Sequence, residues 1–542
     1  MSTSRLATCP VCEQPYGLDE ATCPECGWEL HGPYVLGPIT PDVQLRYERD
    51  LAQARLIYRE ARLTQERDQA WARIAELEAE LAHVQQLSPL SAVMGSPTNQ
   101  PAAAINQLLQ PDQTVHTTTS GTPCVVEQLI TGGQGDIYWA RLAGQPVVLK
   151  WYYPHQASDT QRQMLEELIR IGSPAPCFLW PIELAEEPGV AGAGCILPVR
   201  PSRLRGLADF LMQRMKPSFA TLTIAGRTLA DGFLQLHARG LCYHNLSFET
   251  IFFDPQTGEV LIGDTEGRVR FWDQPVRGYA NPRFMAPEVV RGESLPNSTT
   301  DLFSLAVLLF SMFMLQHPLE GKKERDIDLV DLEAIHRLYG TEPVFIFDPD
   351  NDTNRPVPGL HDHALIYWAI YPTFFKKLFV QAFTQGLHNP HERVRESIWH
   401  QALIRLHDVL IACPACGAEN FYDGERLQQT GGTLAPCWVC QQPVPLPPRI
   451  RLGREVVMLN HDTRLYPHHI DPNRRFDFSH PVAEITRHPS DPTIWGLQNV
   501  STERWVAIPA RGSSYDVLPG RTITLASGTR IQFGTTEGEI RV

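Results

Sequence analysis

The chain has 542 residues, a formal net charge of −14 at pH 7 and 12 cysteines, and its length predicts several domains. Its composition, 43% hydrophobic and 20% charged, excludes a chain that is disordered throughout. The acidic balance argues against a general nucleic-acid binder, because such proteins present a basic surface. The N-terminus has no apolar run of signal-peptide length, and the longest apolar stretch, residues 302–315, is too short to cross a bilayer. We therefore expect a cytoplasmic protein with reduced cysteines and no membrane attachment.

The cysteines are grouped rather than scattered. Eight of them form four Cys-x-x-Cys pairs, and these eight predicted metal ligands are Cys9, Cys12, Cys23, Cys26, Cys413, Cys416, Cys437 and Cys440. Ten residues separate the first two pairs and twenty separate the last two, and both gaps suit a zinc ribbon with four thiolate ligands. We therefore predict two structural zinc ions, one in a ribbon at 1–35 and one in a ribbon at 409–448. Redox dithiols are the alternative, but no thioredoxin-like pattern surrounds the pairs, and the acidic first ribbon disfavours a nucleic-acid adaptor.

A helical segment and a linker follow the first ribbon. Residues 41–87 are rich in Glu, Arg, Gln and Ala, and an apolar residue recurs every seven positions at Leu56, Leu63, Ala70, Leu77 and Val84. This heptad pattern predicts a coiled coil and with it a homodimer; the alternative is a single amphipathic helix that lies on another domain. Residues 88–118 are rich in Ser, Thr, Pro, Gln and Ala, a composition typical of a flexible linker.

The largest block, residues 119–408, begins with a glycine-rich segment and a strand that ends in a lysine. Gly132, Gly133 and Gly135, followed by Ile137, would allow the backbone of a hairpin to lie close over the phosphates of a nucleotide. Lys150 ends an apolar strand at a distance from which its side chain would reach the same phosphates. These residues are the first candidates for a nucleotide site.

The segments after Lys150 supply the next candidates. Glu166 and Glu167 lie on the following predicted helix, and either is placed to pair with Lys150. The apolar face of that helix does not decide between the two glutamates, and we take Glu166. A later strand at residues 194–199 would enter the hinge that holds an adenine ring, so that Leu197 and Val199 would contact the nucleotide.

The remaining motifs of this block follow in the order found in protein kinases. Residues 243–250 occupy the position of the catalytic loop, and Asp264 occupies that of the metal-binding aspartate. Residues 285–288, Met-Ala-Pro-Glu, would close the activation segment, and Arg393 is placed to pair with Glu288. The apolar run after Asp301 predicts a core helix that supports the catalytic loop. Together the motifs predict a bilobal protein kinase fold within a multidomain α+β chain.

Four segments of this block, residues 252–255, 282–288, 301–321 and 378–384, resemble one bacterial group of kinases. These are the eukaryotic-like Ser/Thr kinases of three-gene signalling units, which pair the kinase with a von Willebrand A domain protein and a 2C-class phosphatase. The units are associated with tellurite or metal-stress operons. The resemblance implies ATP and Mg²⁺ as ligands, these two kinds of protein as partners, and a role in bacterial signal transduction.

Two positions depart from the catalytic loop of that family. Asn245 stands where the family has the aspartate that orients the substrate hydroxyl, and Thr250 stands where it has an asparagine ligand of the second magnesium ion. An amide has negligible basicity, and losing such a group commonly slows phosphoryl transfer by about 10²- to 10⁴-fold. We therefore predict a pseudokinase that still binds ATP and acts as a regulatory scaffold. The alternatives are an active but atypical Ser/Thr kinase and a kinase fold that binds no nucleotide.

The last segment, residues 450–542, contains short β-type runs separated by turn residues, which predicts a small β-sandwich. Residues 452–454, 495–501 and 528–534 resemble a forkhead-associated (FHA) module. Such modules bind phosphothreonine through an arginine, and Arg454 is the candidate here. The Ser-x-x-His and Asn-Gly pairs of that family are not evident, so a docking or self-association sandwich is the alternative to a phosphopeptide-binding one.

Overall fold

The computed structural model describes residues 6–9, 11–12, 14–17, 22–23, 25, 109–131, 135–154, 156–271, 281–327, 331–488, 490–491 and 493–542. The predicted coiled coil at 41–87 and most of the predicted linker lie outside these residues, as do Cys26, Gly132 and Gly133. Among the helices in the described ranges, none combines the length and the apolar character needed to cross a bilayer.

The described residues form strands and helices in about equal measure along the chain. The strands are β1 (Leu6–Thr8), β2 (Pro15–Gly17), β3 (Thr114–Thr117), β4 (Pro123–Thr131), β5 (Gly135–Leu142), β6 (Gln145–Tyr152), β7 (Glu183–Glu186), β8 (Ala193–Pro198), β9 (Arg205–Gly206), β10 (Leu241–Tyr243), β11 (Ile251–Phe253), β12 (Val260–Ile262), β13 (Val269–Phe271), β14 (Leu410–Ala412), β15 (Glu419–Phe421), β16 (Arg449–Leu452), β17 (Glu455–Met458), β18 (Arg464–Leu465), β19 (Ala483–Arg487), β20 (Trp495–Asn499), β21 (Trp505–Ile508), β22 (Tyr515–Val517), β23 (Thr522–Thr524), β24 (Arg530–Gln532) and β25 (Glu537–Arg541). The helices are α1 (Asp159–Ile171), α2 (Leu207–Leu211), α3 (Phe219–Ala238), α4 (Thr265–Arg268), α5 (Pro287–Val290), α6 (Ser298–Met314), α7 (Lys322–Arg325), α8 (Leu332–His336), α9 (Asp362–Ile370), α10 (Thr373–Phe383), α11 (Gln385–His388), α12 (Glu396–Asp408), α13 (Gly424–Gln429) and α14 (Pro467–Ile470).

A closed barrel forms the first lobe of the central block, with its strands in the order β3-β4-β5-β6-β8-β7 and with β3 paired to β7. Strands β5 and β6 are joined by a tight turn in which Ala143 and Gly144 both have a positive φ. Side chains alternate along a strand, and on β6 Val147 and Leu149 are buried in the barrel core. Lys150 therefore lies on the opposite face of β6, which borders the cleft.

Helices form the second lobe around α6. Every residue of α6 from Phe303 to Met314 is buried, so the apolar run is the core helix that its sequence predicts. Asn297 caps this helix by accepting hydrogen bonds from the backbone N–H groups of the first turn. Helix α12 approaches α3 closely at Gly226, where a Cβ would lie 3.2 Å from the side chain of Leu403.

Two small sheets lie where the barrel meets the helices. Strand β10 pairs with β13, and β11 pairs with both β12 and β9. The predicted catalytic loop connects β10 to β11, and Asp264 lies two residues after the end of β12. The sheets therefore bring residues that are distant in sequence to one edge of the cleft.

A small hairpin and a two-sheet sandwich follow α12. Strand β14 pairs with β15. The sandwich has a six-stranded sheet in the order β17-β16-β25-β24-β21-β22 and a four-stranded sheet in the order β18-β19-β20-β23. Ile450, Leu497 and Trp505 belong to the buried core between the sheets. The chain thus forms a β-sandwich at 449–541, and its likeness to an FHA module stays a prediction.

Candidate functional site

Lys150 lies in the cleft between two carboxylates. Its Nζ is 2.8 Å from Oε1 of Glu266 and 3.2 Å from Oδ1 of Asp264, and its side chain is 13% exposed. Burial alone would lower the pKa of Lys150, but the two carboxylates outweigh burial and hold that pKa well above its ordinary value. Lys150 is therefore a fixed positive charge, which suits the binding of a phosphate.

The carboxylate that pairs with Lys150 differs from the predicted one. Glu166 is exposed on α1 and accepts a hydrogen bond from Nε of Arg162 at 3.1 Å. Glu266 lies on α4, two residues after Asp264, and its side chain is only 3% exposed. Its second oxygen, Oε2, has no hydrogen-bond partner among the described residues. The segment after β12 therefore supplies the partner that the sequence analysis placed on α1.

Asp264 lies between two cations. Its backbone is left-handed, with a φ of 54°, an uncommon conformation for a residue other than glycine. Oδ1 faces Lys150, and Oδ2 accepts a hydrogen bond from Nε of Arg268 on α4. Burial alone would raise the pKa of Asp264, but Lys150 and Arg268 lower that pKa below its ordinary value. Asp264 is therefore an ionised carboxylate.

Asn245 is held in place at both its amide and its main chain. Its φ is 63°, so its backbone is also left-handed. Its amide Oδ1 accepts a hydrogen bond from the backbone N–H of Asn281 at 2.8 Å. Its carbonyl oxygen accepts another from Nη1 of Arg268. The arginine that bonds to Asp264 thus also bonds to the predicted catalytic loop.

His237 supports the same loop from the end of α3. Its Nε2 lies 3.0 Å from Oδ2 of Asp301, and its Nδ1 bonds to Oε1 of Glu396. Oδ2 of Asp301 also accepts a hydrogen bond from the backbone N–H of Tyr243 at 2.6 Å. Burial alone would lower the pKa of His237, but the two carboxylates raise it to about 9. A charged imidazolium therefore joins α3, α6 and α12 beneath the loop.

The other predicted nucleotide contacts, as far as the structure describes them, lie on or just beyond β5 and β8, the two strands that flank β6 and Lys150. Gly135 begins β5, where a Cβ would overlap the carbonyl oxygen of Trp151, so glycine is required there. Ile137, half-buried, follows on the same strand. Leu197 is buried near the end of β8, and Val199 is half-buried just beyond it.

Sequence analysis did not single out Arg200 and Phe252 as site residues. The Arg200 guanidinium lies 4.4 Å over the Phe252 ring, and its Nη1 donates to the carbonyl of Leu204 at 2.5 Å. A Cβ on Gly263 would lie 3.3 Å from the same ring. The Phe252 ring therefore lies between Arg200, in the segment after β8, and Gly263, the residue before Asp264.

Comparisons with known proteins agree with this geometry. Residues 202–367 match the family model described as protein kinase domain. The chain contains a protein kinase domain. It is 31% identical to rhodopsin kinase GRK1 of Rattus norvegicus over 119 residues, which cover 21% of this chain and 20% of that protein. It is 30% identical to a putative protein kinase C delta type homolog of Drosophila melanogaster over 106 residues (19% and 15%) and 32% identical to protein kinase C-like 1 of Candida albicans over 99 residues (18% and 9%). The chain thus spans a fifth or less of the length of these curated relatives.

The ion pair predicted between the activation segment and the end of the kinase domain is confirmed. Nη1 and Nη2 of Arg393 each lie 2.8 Å from a carboxylate oxygen of Glu288. The arginine side chain is 1% exposed, and Nη1 also donates to the carbonyl of Thr299 at 2.9 Å. This bidentate pair anchors α5 to the helical lobe.

A kinase domain suggests ATP and Mg²⁺ as ligands. The residues of the cleft suit the phosphates of ATP better than they suit Mg²⁺. Lys150 and the close approach at Gly135 suit phosphates. Both oxygens of Asp264, in contrast, already bond to cations. The hydroxyl of Thr250 is buried and donates to the carbonyl of Ser247 at 2.9 Å. Mg²⁺ requires oxygen ligands at about 2.0–2.1 Å in near-octahedral geometry, so these residues fit it poorly.

The described cysteines of the Cys-x-x-Cys pairs form two clusters away from the cleft. One contains Cys413, Cys416, Cys437 and Cys440, and the other contains Cys9, Cys12 and Cys23. In the first cluster the Sγ atoms of Cys413 and Cys440, and those of Cys416 and Cys437, lie 3.7 Å apart. A tetrahedral site with Zn–S bonds of about 2.3 Å has sulfur–sulfur edges of roughly 3.8 Å. Both clusters could therefore hold zinc, and Cys26 lies outside the described residues.

The segment that carries Cys413, Cys416, Cys437 and Cys440 is joined to the kinase domain by acidic side chains. The carboxylate of Glu419 accepts hydrogen bonds from the backbone N–H groups of Phe219 and Ala220 at the start of α3. Asp423 accepts hydrogen bonds from the backbone N–H and the hydroxyl of Thr373, at 2.8 and 2.7 Å, at the start of α10. Negative charge at a helix N-terminus is favourable, so the segment that carries this cysteine cluster supports two helices of the kinase domain.

A further group of possible metal ligands, Asp408, His468 and His469, lies where the sandwich meets α12. Nδ1 of His469 accepts a hydrogen bond from the backbone N–H of Tyr466 at 2.8 Å. The neutral ring therefore carries its proton on Nε2, which donates to Oδ1 of Asp408 at 3.2 Å. That proton occupies the lone pair that a metal would need, so the group fits a contact between domains. Arg454, the candidate phosphothreonine ligand, is exposed in the turn between β16 and β17.

Proposed function

We propose that this protein is a signalling regulator whose kinase domain binds a nucleotide but is impaired in phosphoryl transfer. The surroundings of Asn245 carry the proposal. Its amide oxygen accepts a hydrogen bond from Asn281, and its carbonyl accepts one from Arg268, in the loop where active kinases hold the aspartate that orients the substrate hydroxyl. An amide in this position can orient a hydroxyl but cannot accept its proton.

Retained nucleotide binding is supported by Lys150 and by the residues of the strands beside it. Lys150 is a largely buried cation that two carboxylates hold in place. Gly135 permits the backbone of the β4–β5 hairpin to approach β6 closely. Leu197 and Ile137 supply apolar surface, which suits a nucleotide base. These features bear on binding rather than on the transfer step.

The second candidate is an active but atypical Ser/Thr protein kinase. Its support is the intact scaffold around the catalytic loop, in which Arg393 bonds to Glu288 and Asp301 bonds to both His237 and the main chain of Tyr243. The candidate predicts turnover that depends on Lys150 and Asp264.

A transfer assay on the purified full chain distinguishes the two candidates. The natural chain is expected to show no autophosphorylation that depends on Lys150. The double variant Asn245→Asp with Thr250→Asn is expected to raise transfer by about 10²-fold or more, because it restores the orienting carboxylate and a metal ligand. Lys150→Ala in each background serves as the control. Robust autophosphorylation of the natural chain that Lys150→Ala abolishes would establish the active kinase instead.

We further propose that the chain acts as a cytoplasmic scaffold in a bacterial signalling unit of the tellurite-associated kind. Its resemblance to that family at residues 282–288 and 378–384 supports a von Willebrand A domain protein and a 2C-class phosphatase as partners. The heptads at 41–87 support a homodimer. The tail would either bind phosphothreonine or serve as a docking sandwich. Fluorescence titration with phosphothreonine peptides, against unphosphorylated peptides and the Arg454→Ala variant, separates these two roles.

A further inference from the structure

We propose that Arg268 takes the place of the divalent metal at Asp264, so that the cleft binds the phosphates of a nucleoside triphosphate without Mg²⁺. The proposal rests on the nucleotide binding proposed above and adds the identity of the counter-ion. In kinase domains the aspartate at this position ordinarily holds a metal ion that bridges the phosphates. Here the residues around Asp264 do not fit that ion.

Arg268 is held at Asp264 by its own chain segment. It lies four residues later, one helical turn along α4, and its Nε donates to Oδ2 of Asp264. The other oxygen, Oδ1, faces Nζ of Lys150 at 3.2 Å. Each carboxylate oxygen therefore already faces a cation, and Mg²⁺ would have to displace one of them to reach its bonding distance.

The same arginine is also tied to the catalytic loop. Its Nη1 donates to the carbonyl of Asn245, and its own carbonyl accepts a hydrogen bond from the backbone N–H of His244 at 2.9 Å. Its side chain is 23% exposed, so the guanidinium borders the cleft. An arginine carries five N–H donors, and among the described residues the side chain of this one bonds only to Asp264 and Asn245. Because it is already held in place, it loses little conformational freedom when a phosphate binds.

The charges in the cleft favour an anion over a second cation. Three cations, Lys150, Arg268 and Arg270, act on the two carboxylates Asp264 and Glu266, and the exposed Glu249 acts on Arg268. A divalent ion would therefore meet carboxylates that are already paired with cations, whereas the phosphates of a triphosphate would be attracted to Lys150 and Arg268. Thr250, at the position of the second metal ligand, donates its hydroxyl proton to Ser247. The charges and the hydrogen bonds of the predicted metal ligands thus both favour the binding of phosphates without Mg²⁺.

Calorimetric titration of ATP into the full chain, in EDTA and again in excess Mg²⁺, tests the proposal. The natural chain is expected to bind in both, with dissociation constants that agree within about threefold. Arg268→Ala is expected to weaken binding in EDTA by about tenfold or more, because it removes a charge-assisted donor. It should also make binding depend on Mg²⁺, since Oδ2 of Asp264 is released. Arg268→Lys keeps the positive charge but lacks the planar guanidinium, so its affinity for ATP in EDTA should lie between those of the natural chain and Arg268→Ala.

The matched control is Arg203→Ala, which removes an exposed arginine that pairs with Glu259, and it should behave as the natural chain does. Binding by the natural chain only in Mg²⁺ would overturn the proposal and leave the proposed nucleotide-binding regulator intact. No binding in either buffer by a folded chain would refute the nucleotide site itself, and this proposal with it. Equal affinities of Arg268→Ala and the natural chain in EDTA would show that Arg268 is not the counter-ion. The comparison between EDTA and Mg²⁺ uses the natural chain alone, so it shows whether ATP binding requires Mg²⁺ even if a variant fails to fold.

Discussion

Replacing Glu266 by glutamine tests which glutamate holds Lys150. The change removes a carboxylate that is 3% exposed and lies 2.8 Å from Nζ. A hydrogen bond to a charged group contributes about 1.5–3 kcal/mol, and breaking a fully buried ion pair costs about 3–5 kcal/mol. Asp264 remains as a second partner at 3.2 Å, so we expect Glu266→Gln to lower the free energy of unfolding by about 2–3 kcal/mol. The same change at Glu166, whose side chain is 52% exposed, should cost about 0.5 kcal/mol or less.

Urea denaturation of the full chain at pH 7, followed by tryptophan fluorescence, measures both effects. Because the chain has several domains, more than one transition is expected, and the transition that Lys150→Ala shifts identifies the kinase domain. The two glutamine variants are then compared at that transition. A loss at Glu166→Gln that equals or exceeds the loss at Glu266→Gln would show that Lys150 pairs with α1 in solution, and the account of the cleft given above would be wrong.

Two further predictions concern His237, which bonds to Asp301 and Glu396 beneath the predicted catalytic loop, and the cysteine cluster that contains Cys437. Since the pKa of His237 is about 9 in the folded chain and about 6.5 when unfolded, its stabilisation is complete below pH 6.5 and is lost, up to about 3 kcal/mol, as the pH rises through 9. The urea midpoint of the natural chain should therefore fall as the pH rises from 6 to 10. It should fall less in His237→Gln than in the control His391→Gln. An equal dependence of the midpoint on pH in the two variants would show that His237 is not the group that titrates. Cys437→Ser should remove about one zinc ion per chain by atomic absorption. It should also lower the melting temperature of the kinase domain, because Glu419 would no longer hold the start of α3. An unchanged melting temperature would show that the cysteine cluster does not stabilise that domain.

One helical turn carries most of what is unusual about the cleft. Asp264, Glu266 and Arg268 lie on or next to α4. Asp264 occupies the predicted metal-binding position, Glu266 pairs with Lys150, and Arg268 pairs with Asp264. Since Arg268 also bonds to Asn245, a movement of α4 would loosen Lys150 and the catalytic loop together.

Much of the fold follows from local patterns in the sequence. The Cys-x-x-Cys spacing predicts the cluster at Cys413–Cys440, the apolar run after Asp301 predicts a buried helix, and the motif at 285–288 predicts the ion pair of Glu288 with Arg393. Each of these depends on residue types at short spacing or on a motif whose partner has a fixed role. Such information is present in the order of the residues alone.

The sequence by itself thus indicated the kinase domain and the thiolate clusters, and it predicts that Asn245 replaces the catalytic-loop aspartate. Only the tertiary structure decided that Glu266 rather than Glu166 holds Lys150, and that Arg268 bonds to Asp264. The reason is physical. Periodicity and motif spacing indicate which face of an element a residue lies on, whereas an ion pair across the cleft depends on how far apart β6, α1 and α4 pack. Distances of that kind are set by the whole core and not by any short stretch of the chain.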